Sequence, residues 1–425
     1  MECVLQLFSS GQWSDAAVVD VPKPELGGVG GRATFEYDLA HAFGVNPEPV
    51  SLSLPLNTAI AMFKQWPAFL FDLIPQGAGR TFLLGELGLP DNAGSDFALL
   101  RAGAFNPIGR LRIREAVDYF AAHQARHATA QTGLPLEEVL TRGETFVERM
   151  LIHGMLAAGT TGVQGAAPKY LLTRGHDGLW HGDAALPDHQ AAAHFIVKLP
   201  RGKADMDRKV LRNEAAYMRT AARMGLRVEG VALHRNDMLF IPRFDRQVGN
   251  GGVIRLHQES AASLAGIAGF DARPSQFTLL RAIRSVVTDP LTETLEYLCR
   301  DVLNLAMRNT DNHARNTAVQ RLGNTVRLTP LYDFAPMYLD PGGIARTARW
   351  HHPRDGRELT VWGEVIVALA LPETETVRLR AALAQFGVDL ERLPDIMREC
   401  SVDDDVIDHL QRGVDEQSRQ LKDLL

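Results

Sequence analysis

The chain has 425 residues, 45% apolar and 23% charged, the composition of an ordinary soluble globular protein with room for two or three packed units. Its 45 basic and 51 acidic residues leave a net charge of −6, which excludes a general nucleic-acid coat though not a local basic patch. Cys3, Cys299 and Cys400 are too scattered for a disulfide framework or a zinc spacing and suit a reducing cytoplasm. Glu2 stands where a signal peptide wants positive charge, and "VIVALAL" (365–371) is far short of the roughly 20 residues that span a bilayer.

In chain order, residues 1–115 read as a small α+β unit. "CVLQLF" and "RATFEYDL" alternate like strands and are joined through "LGGVGGR". The glycine cluster could cradle phosphate, but no P-loop Lys-Ser/Thr follows, and a loose turn between strands is the better reading. "PVSLSLPL" follows, then "AMFKQWPAFLFDLIPQGAGR", which mixes helical apolar spacing with Pro and Gly breaks.

Residues 116–247 alternate helices and strands. "EEVLTRGETFVERMLIHGML" reads as helix, and "AAPKYLLTR", "AAHFIVKLP" and "VALHRNDMLFIPRF" read as strands with turns. From residue 248 helices dominate. In "LTETLEYLCRDVLNLAMR" (291–308), Leu291, Leu295, Leu298, Val302 and Leu305 form one amphipathic stripe. A strand-rich segment before a helix-rich one predicts two lobes with a cleft between them.

The chemistry concentrates after that helix. "NTDNHARNTAV" (309–319) carries Asp311, His313, Arg315 and Asn316, and "TAVQRL" and "TVRLTPLYD" then flank Gly323-Asn324, a two-residue hairpin signal. Asp333 is expected at the end of the second strand. Helix, Asp-x4-Asn loop, hairpin and Asp is the layout of protein kinases. There one carboxylate stays free to orient the acceptor hydroxyl and take its proton, here Asp311. An amide and a second carboxylate, here Asn316 and Asp333, hold Mg²⁺. Asp and Asn in turns also cap backbone groups, and the placement of Asp333 is what favours the metal layout.

Phosphate needs cationic partners as well. Lys198 ends the apolar strand "HFIVKLP", and Glu214 lies on or beside the apolar face of the helix in "KVLRNEAAYMRTAARMGL", a costly position unless paired. A Lys198–Glu214 ion pair would position the lysine. "GVQGAAPKYLL" (162–172) fails the Walker pattern, but Gly162, Gly165 and Lys169 could form a loop closing over phosphates through backbone N–H groups.

Together these segments resemble the HipA family of bacterial toxin–antitoxin kinases over nearly the whole length. "PVSLSLPL" and "FDLIP" are similar to its N-terminal subdomain, and "GAAPK" to its phosphate loop. "FIVKLP" and "NEAAYM" resemble its ATP-lysine strand and paired helix. "PRFDR" looks like its hinge, "HQES" the opening of its C-terminal lobe, and "NTDNHARN" with "LTPLYD" its catalytic and metal loops.

The resemblance implies an α+β, two-lobed protein-kinase-like fold divided as 1–115, 116–247 and 248–425, the last unit helical. It also implies Mg-ATP-dependent phosphorylation of a protein Ser or Thr. An aminoacyl-tRNA synthetase is the target in characterised members, and a DNA-binding antitoxin is the partner, so nucleic acid is approached only through that antitoxin. Arg315 stands beside the catalytic Asn where the family commonly has Lys, keeping the charge as a planar fork.

Pro242 stands where the hinge often has an acidic residue; its carbonyl and the Phe244 N–H are the expected adenine contacts. The phosphate loop lacks the family's autophosphorylated serine, and Thr160 and Thr161 lie near. His313 is expected to brace the catalytic loop by donating to a backbone carbonyl, since a metal reading would need His351 and His352 without other support. The rivals are a kinase-fold binding protein or corepressor in an antitoxin–DNA complex, and a small-molecule kinase.

Overall fold

A computed structural model describes residues 1–126, 132–143, 146, 168–230, 232–249 and 252–424. The first unit is an antiparallel sheet of β1 (Glu2–Ser9), β2 (Gln12–Asp20), β3 (Ala33–Tyr37), β4 (Ala61–Phe63) and β5 (Leu111–Ile113), in the order β4-β3-β2-β1-β5. Alternation in β1 buries Cys3, Leu5 and Leu7 on one face. The β1–β2 turn is Ser10-Gly11, both with positive φ (51° and 81°), the type I′ geometry that matches strand twist.

The "LGGVGGR" expectation is corrected in two ways. A whole strand, β2, precedes it, and Gly27–Gly30 form a helical turn instead of a loose loop. A Cβ on Gly28 would lie 2.4 Å from the Phe71 ring and 2.9 Å from Trp66, so glycine there permits close packing.

The second sheet holds β6 (Lys169–Gly175), β7 (Trp180–Gly182), β8 (Ala191–Lys198), β9 (Leu233–Arg235) and β10 (Met238–Pro242), in the order β7-β6-β8-β10-β9. Asn236 and Asp237, at φ 47° and 54°, turn β9 into β10. The helix Asp205–Arg223 connects β8 to β9. Its Tyr217, Met218 and Ala221 enter one continuous core with Leu298, Leu303, Phe334 and Met397 of the C-terminal part. The helix therefore packs against both lobes and fixes one relative to the other.

The C-terminal part is mainly helical but opens with strands. β11 (Arg246–Gly249) and β12 (Gly252–Arg255) form a hairpin, and β13 (His257–Ser260), β14 (Ala318–Leu322) and β15 (Thr325–Leu328) a three-stranded sheet. The expected amphipathic helix is Pro290–Ala306. Asp289 accepts the Thr292 N–H at 3.1 Å, and Pro290 starts the helix where no N–H partner is needed. The Gly323-Asn324 hairpin forms with Leu322 opposite Thr325. Asp333 is not at the end of a strand: β15 stops at Leu328, because Pro330 cannot continue a ladder, and Asp333 lies in the loop beyond with φ 51°. Among the described residues, no helix is long and apolar enough to cross a membrane.

Candidate active site

Strand register builds the cationic side of the cleft. β6 and β8 pair with Lys169 opposite Lys198, and both side chains are buried. Lys198 Nζ donates to Glu214 Oε1 from the Asp205–Arg223 helix and to Asp333 Oδ1 from the loop after β15. Lys169 Nζ lies 3.7 Å from Asp333 Oδ2. Two ammonium and two carboxylate groups thus neutralise one another where single charges would be prohibitively costly.

Burial pushes the Asp333 carboxyl up, but Lys169 and Lys198 outweigh it and hold the group down at about 2. Burial would lower the Lys198 ammonium, yet Asp333 and Glu214 reverse this and raise it. For Lys169 and Glu214 burial prevails, lowering the lysine and raising the glutamate.

The Asp311 loop leaves the Pro290–Ala306 helix through Arg308, itself left-handed at φ 52°. Asp311 lines the same cleft as Lys169, Lys198, Glu214 and Asp333. Burial raises its carboxyl above the usual range. Asn316 donates Nδ2 to the Asp311 carbonyl at 2.8 Å, which leaves its Oδ1 as an acceptor. Asp311, Asn316 and Asp333 also line one polar cavity behind the loop.

Asn309, which the sequence reading passed over, links the two loops by donating to Asn304 Oδ1 at 3.0 Å and to the Asp333 carbonyl at 3.3 Å. Asn304 is five residues back and Asp333 twenty-four ahead, and it is the second, distant contact that local spacing does not announce.

Two expectations for this loop are corrected. Among the described residues His313 donates to no carbonyl; its Nδ1 accepts the Arg315 N–H at 3.3 Å. Neutral His313 then carries its proton on Nε2, which faces Asp311 Oδ1 at 3.7 Å, and burial lowers its basicity. Arg315, expected among the catalytic residues, turns its guanidinium away from the reacting groups. It pairs with Asp72 and donates to the carbonyls of Gly269 (3.1 Å) and Ile267 (3.3 Å). The rings of Phe71 and Phe270 lie 5.8 and 5.4 Å from it. A planar fork reaches these acceptors together, so Arg315 ties the first unit to the C-terminal part.

The same tie explains several motifs. Asp72 of "FDLIP" accepts the Ser260 N–H at 2.9 Å and its hydroxyl at 2.7 Å. Glu259 of "HQES" accepts the Ser51 hydroxyl at 2.7 Å and the Leu52 N–H at 2.8 Å, both from "PVSLSLPL". On the other side of Lys198, β10 ends at Pro242, paired with Phe195 of β8. Pro242, Phe244, Ile196 and Tyr332 wall a mainly apolar cavity that reaches Lys198, Glu214 and Asp333. The Phe244 and Tyr332 rings lie 6.0 Å apart. Of the expected phosphate loop, Lys169 is placed as above, while Gly162, Gly165, Thr160 and Thr161 lie outside the described residues.

Comparison with known proteins bears on the family and the fold. Residues 161–402 match the HipA-like C-terminal domain and residues 25–114 the HipA N-terminal domain. The Sinorhizobium fredii protein named "Putative kinase Y4mE" is 26% identical over 338 residues, covering 76% of this chain and 75% of that protein. The fold matches HipA of Shewanella oneidensis MR-1, solved in the complex of its toxin–antitoxin system with HipB and operator DNA. The TM-score is 0.66 at 16% identity, over 99% of both chains. The α+β fold is thus that of HipA, and the chain belongs to the HipA family.

Proposed function

We propose that this chain is a cytoplasmic ATP-dependent serine/threonine protein kinase, the toxin of a toxin–antitoxin pair. The observation that carries the reading is Lys198 bridging Glu214 and Asp333 in the cleft that Asp311 also lines. An ammonium has three donors, so with Glu214 and Asp333 bound Lys198 keeps one for a phosphate oxygen. Lys169 supplies a second cation, and Gly165 would approach phosphate through its backbone. The adenine would enter the cavity beside Pro242 and Phe244, meeting the Pro242 carbonyl and the Phe244 N–H. Asp311 would orient the acceptor hydroxyl and take its proton. The units 1–115, 116–247 and 248–425 are the working division of this reading.

The donor set suits Mg²⁺. Asp333 stays ionised and Asn316 has an acceptor oxygen left, a pair that fits a hard ion completing its shell with water and phosphate oxygens. No cluster of three or more His, Cys, Asp or Glu suited to a metal occurs among the described residues, so a softer all-protein site has no support there. When bound, Mg²⁺ would neutralise phosphate charge. Arg315 and His313 would act on the loop's shape, the first through Asp72 and the second through the Arg315 N–H.

For partners, we propose a DNA-binding antitoxin, by analogy with the HipA–HipB–operator complex, and an aminoacyl-tRNA synthetase as protein substrate. Calorimetry with Mg-ATP tests the nucleotide part: saturable binding that fails in Lys198→Met is expected, and a wild-type chain that does not bind would point instead to a scaffold. Phosphoamino-acid analysis of labelled protein should return phosphoserine or phosphothreonine.

A further inference from the structure

We propose that Arg243 is a positioning residue for the nucleotide. The buried ionic cluster around it would make the loop Asn106–Gly109 of the first unit part of the site's support. This rests on the kinase reading and deepens it. Arg243 lies between the two hinge residues, Pro242 and Phe244. β10 ends at Pro242, and Arg243 just past it lines the same cavity as Pro242 and Phe244.

There its side chain is 0% exposed. It donates to Asp183 Oδ2 at 2.5 Å, to Asp245 Oδ1 at 2.9 Å and to Asp245 Oδ2 at 2.7 Å. The backbone is pinned as well, with the Arg243 N–H donating to the His194 carbonyl at 2.9 Å.

Both carboxylates reach the first unit. Asp183 accepts Asn106 Nδ2 at 2.7 Å, besides the Thr173 hydroxyl at 2.6 Å and His194 Nδ1 at 2.7 Å. Asp245 accepts the Gly109 N–H at 2.8 Å and Arg246 Nη1 at 2.5 Å. Arg246 in turn donates to the carbonyls of Gly109 at 2.7 Å and Pro107 at 3.0 Å.

Two guanidinium and two carboxylate groups, all buried, thus hold the 106–109 loop and the hinge backbone in one arrangement. Charge-assisted forks at these distances are geometrically exacting, and in a dry interior each is expensive to break. Whatever shifts the 106–109 loop must therefore shift the Pro242 carbonyl and Phe244 N–H. By linkage, nucleotide binding must tighten the docking of the first unit by the same factor.

The test uses the full chain with ATP and Mg²⁺, by calorimetry and steady-state turnover, in wild type, Arg243→Met and Asn106→Ala. Kd and KM for ATP should rise on the order of tenfold in Arg243→Met and about threefold in Asn106→Ala, with the loss in KM and little change in kcat. A folded variant that binds ATP as tightly as wild type overturns the proposal, as does a loss confined to kcat or to melting temperature. If Arg243→Met does not fold, Asn106→Ala decides alone. A wild-type chain without ATP affinity defeats the kinase reading itself, a result distinct from unequal or equal variants.

Discussion

Replacing Arg315 by alanine separates the two roles its position suggests. Its guanidinium contacts Asp72, the carbonyls of Gly269 and Ile267, and the rings of Phe71 and Phe270. Stripping one partner from a buried ion pair costs about 3–5 kcal/mol when the other charge is stranded. Asp72 is not stranded, because Ser260 still donates to it through its N–H and its hydroxyl, which suggests about 2–3 kcal/mol. In a chain of this length melting as one unit, that lowers the melting temperature by about 3 °C.

Calorimetric melting, paired with ATP titration of the same protein at a temperature where it stays folded, reads both quantities. The expected outcome is the lower melting temperature with ATP affinity close to wild type. Normal melting with turnover down by about a hundredfold would mean that the guanidinium serves the reaction, and would refute the tie.

Lys198→Met should remove phosphoryl transfer by at least about 100-fold, whereas Glu214→Gln, which leaves a neutral acceptor for Lys198, should cost less; phosphate release measures both. Because burial raises the Asp311 carboxyl, the acidic limb of kcat should lie above the ordinary aspartate range near about 3.9 and move with Asp311 variants. Asp333 has the opposite sign. Its folded value of about 2 lies below its usual 3.8, so its stabilising contribution is complete above about pH 4 and is lost as the pH falls toward 2. Acid melts should therefore show a steeper loss between those pH values in wild type than in Asp333→Asn.

Local signals in the sequence carried far. The helix before the catalytic loop, the Gly323-Asn324 turn and the meeting of Lys198 with Glu214 follow from periodicity, turn chemistry and the cost of a lone buried carboxylate. What stayed hidden depends on partners distant in the chain. Arg315 reads as catalytic because it sits next to Asn316, and nothing near it announces Asp72 as its partner. The convergence of Lys169 on Asp333 is set by the β6–β8 register, which one-dimensional spacing does not specify. Gly28 looked like turn or phosphate chemistry because sequence shows a missing side chain, not the Phe71 and Trp66 rings that fill its place. The cluster around Arg243 was passed over for the same reason, since "PRFDR" gives no sign of Asp183 or Asn106.

As a kinase of this kind, the protein would use Asp311 for transfer of the ATP γ-phosphate to a protein hydroxyl. Incubating wild type and Asp311→Asn with γ-labelled ATP, Mg²⁺ and a bacterial cell extract measures it directly. Label on serine or threonine of an extract protein with wild type, and none with Asp311→Asn, is the predicted result. Equal labelling by the two proteins would contradict it.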